Sequence, residues 1–271
     1  MPAVDSEHRP VFVLGAARSG TSAIAQGLLA SGEYQGFGEG HFLWMLQRFL
    51  ETIRSFYAFN GEDALPSRFT MLSHAPYTYM TSAVRAAFVA AATEMFPTQK
   101  WIDKTPRPQM IEASRLMQEM WPNARFVFMK RRGLENLVSR LRKFPQISFA
   151  EHCHDWTNSM QAWLAVRDLL TTAALEIEQL ALAQAPARVA TELGRFLEMP
   201  HQAVTRLARS LTEDFPERTS DIHAPRIHVT KLGWSVGQIT EFRSICGPMM
   251  AAFGYGYTEH YFASPVASIT L

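Results

Sequence analysis

Residues 11–29, VFVLGAARSGTSAIAQGLL, run from an apolar strand candidate, Val11 to Leu14, through a Gly-rich turn into a helix. Outward from this stretch, short β-rich runs alternate with long helical patterns. Further strands are expected at Tyr34 to Phe37, Trp101 to Asp103, Arg125 to Met129 and Leu175 to Ile177. Helices are expected over 76–96, 107–120, 134–143, 151–173, 187–211 and 237–253. In HFLWMLQRFLETIRSFY, Phe42, Leu46, Phe49, Ile53 and Phe56 recur at helical spacing, which predicts a buried stripe. The alternation predicts βαβ units around a parallel sheet of about five strands. No repeat, low-complexity tract or long linker interrupts it, so one domain is expected over residues 1–271. Its N-terminus, 1–9, is expected to be flexible, and 213–234, rich in Pro, His, Ser and Thr, to form a long loop or lid.

With 271 residues, 47% hydrophobic and 11% aromatic, the chain can bury a sizeable core. Its 26 Lys and Arg nearly balance 25 Asp and Glu, giving a net charge of +1. No global basic field therefore points to nucleic acid or to a membrane surface, and any anion site must be local. Two cysteines, Cys153 and Cys246, are too few for a disulfide framework and fit a reducing compartment. No apolar run reaches the roughly 18 residues of a membrane span. A soluble, cytoplasmic protein is expected; its oligomeric state is not legible.

Gly15 and Gly20 stand five apart, as the glycines do in the phosphate-binding pattern G-x-x-x-x-G-K-[ST], and strand and helix flank them correctly. Backbone N–H groups and the helix N-terminus can surround a phosphate there. After Gly20, however, come Thr21 and Ser22 in place of Lys-Ser/Thr, so the side chain that reaches β- and γ-phosphates is missing. The positive charge lies inside the loop, at Arg18. That suits a terminal 5′-phosphate carrying a transferable group better than a Mg-bound triphosphate.

A second constellation is RFVFMKRRGLENLVSRLRKF, a strand ending in Lys130-Arg131-Arg132 and followed by a helix. With a helix start near Gly133, Asn136 and Ser139 share a face near where Arg131 emerges. Arg131 and Ser139 can clamp a second phosphate, one by charge and fork geometry, the other by a neutral hydroxyl. Arg140, Arg142 and Lys143 read as a solvated basic face.

These stretches together resemble the sulfotransferase family. LGAARSGTSAI resembles its 5′-phosphosulfate loop in the P-R-S-G-T-T form of bacterial and tyrosylprotein members, and the Arg131-to-Ser139 spacing is similar to its 3′-phosphate motif. GFGEGHFLW resembles the short strand that brings a catalytic glutamate, here Glu39. KWIDKTPRPQM resembles the D-K-[TD]-P segment supplying Lys104. Weaker similarities lie in LEIEQLALAQAPARVATELGRFLEMP and AFGYGY, so the resemblance spans roughly residues 11–257. IEQL stands where Y-E-D-L is usual. Only Lys231-Leu232-Gly233-Trp234 offers a substitute for the R-K-G-x-x-G loop that covers the adenosine diphosphate.

The resemblance implies a P-loop three-layer fold with helical acceptor-binding insertions. It also implies transfer of a sulfuryl group from 3′-phosphoadenosine 5′-phosphosulfate (PAPS) to an acceptor hydroxyl, releasing 3′-phosphoadenosine 5′-phosphate (PAP). Ala17, Arg18, Ser19, Gly20, Thr21 and Ser22 would hold the 5′-phosphosulfate, and Arg131 and Ser139 the 3′-phosphate. Charge that gathers on the bridging and peripheral oxygens needs fixed cationic donors, which Arg18, Lys104 and loop N–H groups can supply without a metal. The acceptor must lose a proton, so a base is required. Glu39 is the first choice; His41 competes, since an imidazole titrates near neutral pH.

His152-Cys153-His154-Asp155 reads as structural rather than metal-binding, because consecutive helix residues face different ways. Arg107 reads equally as a contact to acceptor or sulfate and as a surface arginine at a helix start. Trp44, Phe42, Phe56, Tyr77 and Tyr79 are candidates to line an aromatic acceptor pocket, though helical spacing accounts for the first three as core. Acceptor specificity is expected from 41–80, 145–160 and 213–234, with the hydroxyl of a small molecule or secondary metabolite as target. Two other classes remain open: a P-loop kinase-like transferase, disfavoured by the missing lysine and the lack of an Asp after Met129, and a non-catalytic nucleotide-binding module.

Overall fold

The computed structural model describes residues 5, 7–60, 74–213 and 227–263. β1 (Val11–Gly15) leads into α1 (Thr21–Ala30), followed by β2 (Gln35–Gly36), α2 (Phe42–Asn60) and α3 (Tyr77–Met95). Then come β3 (Trp101–Lys104), α4 (Pro108–Glu112), α5 (Ser114–Met120), β4 (Arg125–Lys130), α6 (Gly133–Lys143) and α7 (Phe149–Leu170). β5 (Ala174–Glu178), α8 (Gln179–Gln184), α9 (Pro186–Phe196), α10 (His201–Thr212) and α11 (Val236–Ala252) complete the order. Most of the loop expected at 213–234, and residues 1–4 and 6 of the N-terminus, lie outside the described residues.

The five strands form the expected parallel sheet, in the order β2-β3-β1-β4-β5. Parallel pairing puts every strand's C-terminal end at one edge, and β1 sits where the chain turns from β3 on one side to β4 on the other. Ligands of open α/β sheets bind at such a switch point. The turn 16–20, the segment 37–41, Lys104 and Arg131 all follow strand ends there.

Both faces of the sheet are covered, so β1 and the middle of β4, at its centre, are continuous apolar runs, whereas β3 ends in Asp103 and Lys104 and the edge strand β5 carries Glu176 and Glu178. Phe12, Leu14, Phe126 and Phe128 join a core with α2 through α7 and α11, where Phe128 stacks on Trp163 at 4.3 Å. Val11, Val13, Val127, Met129 and Ile177 pack on the other side with α1, α9 and α10. Gly15 allows β1 to turn against β4: at φ +143°, a Cβ would lie 2.5 Å from the Met129 carbonyl oxygen.

Several elements depart from expectation. The helix expected at 107–120 is two, α4 and α5, with buried Ser114 at the junction donating its hydroxyl to the Ile111 carbonyl at 2.6 Å, a local bond that competes with helix continuation. The helix expected at 187–211 breaks at Glu198 (φ +53°) and restarts after Pro200, which disfavours helix in the residue before it. α7 starts at Phe149, earlier than expected, because Ser148 and Glu151 form a capping box. α8 was not foreseen. On α2 the buried positions are Leu43, Leu46 and Tyr57, whereas Phe49 and Phe56 are about half exposed, at 51% and 48%. The stripe lies one residue round from the aromatic series, and the aromatics flank it.

The C-terminal segment is fixed by a buried arginine. Arg132 is fully buried; it donates to Glu135 and to the carbonyls of Ile227, Gly256, Thr258 and His260, the last three at 3.2, 2.8 and 3.1 Å. Arg132→Met leaves Glu135 and several carbonyls unpartnered, and a loss of about 3–5 kcal/mol is expected from urea unfolding. A midpoint within error of the wild type would contradict this.

Glu178 anchors the same segment, accepting from the Tyr255 hydroxyl at 2.9 Å and the Tyr261 hydroxyl at 2.6 Å. Burial outweighs both bonds and pushes its carboxyl up from 4.5 to about 7. The folded chain thus holds a proton that the unfolded chain releases, so stability is expected to fall as pH rises from about 4.5 to about 7. Glu178→Gln should remove that slope, on the order of 1–3 kcal/mol across the window. Urea midpoints at pH 5, 6 and 7.5 check it; an unchanged slope in the variant would place the titration elsewhere.

Candidate active site

The turn after β1 is held by a left-handed Arg18 (φ +71°) and Gly20 (φ +94°), with Ser19 N–H bonded to the Ala16 carbonyl at 3.2 Å. Left-handed residues alternating with ones of negative φ, as Arg18 and Gly20 do about Ser19, gather N–H groups into a concavity suited to an anion, and here the start of α1 adds its dipole. Ser19 and Thr21 are buried within this turn.

α6 clasps the turn from one side. Asn136 Nδ2 donates to the Ala17 carbonyl and to Ser19 Oγ, both at 3.0 Å. Arg18 Nε donates to Ser139 Oγ at 3.2 Å, and Arg131 Nη1 to the Arg18 carbonyl at 2.7 Å. The structure thus brings Arg18, Arg131, Asn136 and Ser139 together across more than a hundred residues of chain. Burial, and to a smaller degree the Arg18 charge, pull the Arg131 pKa down. A bound anion would offset both the burial of Arg131 and its repulsion by the Arg18 charge.

On the other side lies a carboxylate and a lysine. Lys104, only 3% exposed at the end of β3, reaches Ser22 Oγ at 3.2 Å and Glu39 Oε1 at 2.7 Å. Glu39 Oε2 lies 3.2 Å from His41 Nε2. Partial burial would raise the Glu39 pKa, but the hydrogen bond and charge of Lys104, then His41, hold it below the usual carboxylate range.

The segment 39–41 is itself positioned by a residue the sequence reading passed over. Asp103, buried beside Lys104, accepts from the Leu43 N–H at 3.5 Å and from Thr105 Oγ1 at 3.2 Å, and so caps the start of α2. Thr105 Oγ1 in turn accepts from the His41 N–H at 3.1 Å, where His41 adopts φ +53°. Burial pushes the Asp103 carboxyl up. Its place in the sequence, directly before Lys104, did not disclose this, because the Leu43 N–H that it accepts from comes from a segment sixty residues earlier.

A cleft of about 710 Å³ opens from Ala17, Glu39 and His41 toward Arg107, Gln109 and Glu112 around α4 and Asn158 and Gln161 of α7. Residues near 107–112 therefore join 145–160 as its walls. Arg140 also faces the cleft, which corrects its reading as a solvated residue: it is 3% exposed, donates to His152 Nδ1 at 3.2 Å and pairs with Asp155. Its aliphatic stem shares the buried face of α6 with Leu137, while Arg142 and Lys143 are exposed as expected. His152 is buried, with its pKa lowered by burial and by Arg140, and its Nε2 lies 3.2 Å from the Phe144 carbonyl. His152 and Asp155 thus serve the packing of α6 on α7.

The aromatic candidates separate. Trp44 lies under the Arg107 guanidinium at 4.9 Å, whereas Phe56 and Tyr77 flank Tyr57 toward the far end of α2. Lys231 pairs with Glu259, and Trp234 packs against Phe149 and Phe242. Among the described residues no helix is long and apolar enough to cross a membrane, and no group of three or more His, Cys, Asp or Glu is placed to hold a metal.

A glycine turn after the first strand of a parallel sheet, clasped by α6 and faced by Lys104 and Glu39, is thus the candidate site of an α/β fold. The family model described as "Sulfotransferase family" matches residues 10–203, and the chain belongs to that family. Among solved structures, the chain is similar to the sulfotransferase domain of the Synechococcus PCC 7002 olefin synthase: TM-score 0.53 and 16% identity, covering 93% of this chain and 97% of that one. The sulfotransferase domain from the curacin biosynthetic pathway gives 0.51 and 17%, covering 94% and 99%. Sulfotransferase STF9 from Mycobacterium avium gives 0.52 and 13%, covering 92% and 78%. At these identities the likeness is one of fold. No curated protein sequence matches the chain significantly.

Proposed function

We propose that the protein transfers the sulfuryl group of PAPS to an alcohol, with Glu39 as general base. The observation that carries this reading is the position of Lys104 Nζ, 3.2 Å from Ser22 Oγ and 2.7 Å from Glu39 Oε1: one buried cation joins the phosphate turn to a carboxylate. The donor supplies an activated sulfuryl group on its 5′-phosphate. Thr21, Ser22 and the N–H groups of the turn bind that phosphate, while Arg131 and Ser139 bind the 3′-phosphate and select against ATP. Arg18 lies between the two positions and offers charge to either.

In the reaction the acceptor oxygen forms a bond to sulfur as the bond from sulfur to the 5′-phosphate oxygen breaks. Glu39 Oε2 takes the acceptor proton; Lys104 stabilises the negative charge left on the phosphate oxygen. The lowered Glu39 pKa keeps it ionised at neutral pH. His41 holds the second carboxylate oxygen and orients it. The acceptor hydroxyl enters by the cleft between α4 and α7, and no metal takes part.

The test is incubation with PAPS labelled in the sulfuryl group, a panel of alcohols and a chelator. One sulfate ester should form for each PAP released. Labelled product that requires magnesium, or consumption of ATP in place of PAPS, would overturn the reading.

A further inference from the structure

A second cavity, of about 490 Å³, adjoins the cleft and is lined by Phe37, Phe42, Trp44, Met45, Met95 and Phe96. His41 lines both cavities. Its Nε2 lies 3.2 Å from Glu39, so the apolar groove begins one imidazole away from the carboxylate. Trp44 forms part of the partition: it meets Arg107 of the polar cleft at 4.9 Å and the His41 ring at 6.0 Å. The partition is held in place, because His41 and the start of α2 are fixed through Thr105 and Asp103.

The groove leaves large apolar side chains in water. Phe37 is 63% exposed, Met45 47% and Met95 46%. An apolar patch rimmed by polar residues marks a binding surface, and this volume falls in the range of about 300–1,000 Å³ that small ligands fill. Across the partition the cleft offers the opposite chemistry, with Gln109, Glu112, Asn158 and Gln161 as hydrogen-bonding groups. Building on the sulfuryl-transfer reading, we infer that the acceptor is an amphipathic alcohol. Its hydroxyl-bearing polar end lies in the cleft beside Glu39, and its apolar chain lies in the groove along Trp44, Met45 and Met95. Continuity of the two cavities through His41 favours one ligand over a second protein surface as the occupant.

The test is calorimetric titration of n-alkyl β-D-glucosides from methyl to octyl, below their micelle-forming concentrations, with and without PAP. Affinity should rise about two- to fourfold per methylene, the fold-change that ~0.8 kcal/mol per buried methylene allows. Met45→Lys and Met95→Glu should flatten this series and leave PAP binding unchanged, which also reports that the variants are folded. A flat series in a wild-type protein that binds PAP would overturn the inference and spare the donor reading. So would a slope that survives in both variants, since the chain would then lie elsewhere. A flat series together with concentration-dependent dimers in sedimentation would assign the groove to a second copy. If PAP does not bind while the slope and its loss in the variants are seen, the donor reading fails and the groove stands as an apolar-chain site.

Discussion

Glu39→Gln is expected to lower kcat by about 10²–10⁴-fold, the usual contribution of a positioned general base, while PAP binding stays within about twofold of wild type. The amide keeps the size of the carboxylate and can still accept from Lys104, but it cannot take a proton. Because Lys104 and His41 outweigh partial burial and hold Glu39 below the usual carboxylate range, the acid limb of wild-type kcat/KM should lie below the usual carboxylate pKa of 4.5. The variant should lack that limb. His41→Gln should cost less, because it disturbs the orientation of Glu39 and removes the smaller of the two influences on its pKa, while the carboxylate that takes the proton remains. The ordering is what a rate comparison across pH 4–9 checks: a larger loss at His41 than at Glu39 would make the imidazole the base.

Lys104→Ala should reduce kcat by about 10²–10³-fold, the range seen when one fixed donor to a developing anion is removed. A second effect follows from the same contact. Without the ammonium group 2.7 Å away, the Glu39 pKa rises, so the acid limb of the pH profile should move upward. A residue that only supported the fold would not move that limb. Small alkylamines should restore part of the rate by occupying the vacated volume. If kcat falls with no change in the pH profile, Lys104 acts on structure rather than on charge.

The most legible parts of this protein were those in which chemistry is written locally. Gly15 and Gly20 bracket a turn whose geometry needs glycine, and a single helix start places Asn136 and Ser139 on the face toward Arg131. Such short spacings survive without knowledge of the fold. The central strands β1 and β4 were legible as well, because a position covered on both faces demands a continuous apolar run. Asp103 and Arg140 were not. Each is a charged residue whose burial depends on partners in other segments, Leu43 N–H for the first and His152 with Asp155 for the second. The stripe on α2 was legible only in part: Leu46 is buried as expected, but Phe49 and Phe56, which satisfy the same periodicity, are about half exposed, while Leu43 and Tyr57 are buried in their place. Periodicity gives a face and leaves its rotation to tertiary contacts. Glu178 is a similar case, since its raised pKa comes from burial under a segment, carrying Tyr255 and Tyr261, that arrives more than seventy residues later.

The proposed function requires that Arg18, Arg131 and Ser139 form a site for a 3′-phosphorylated adenosine nucleotide. Calorimetric titration of the wild type and of Arg131→Ala with PAP and with ATP, in chelator, tests it most directly. Metal-free PAP binding is expected, weakened by roughly 10–100-fold in Arg131→Ala through the loss of charge-assisted hydrogen bonds worth about 1.5–3 kcal/mol, with ATP much the poorer ligand. Equal affinity for the two nucleotides, or binding that needs magnesium and ignores the substitution, would contradict it.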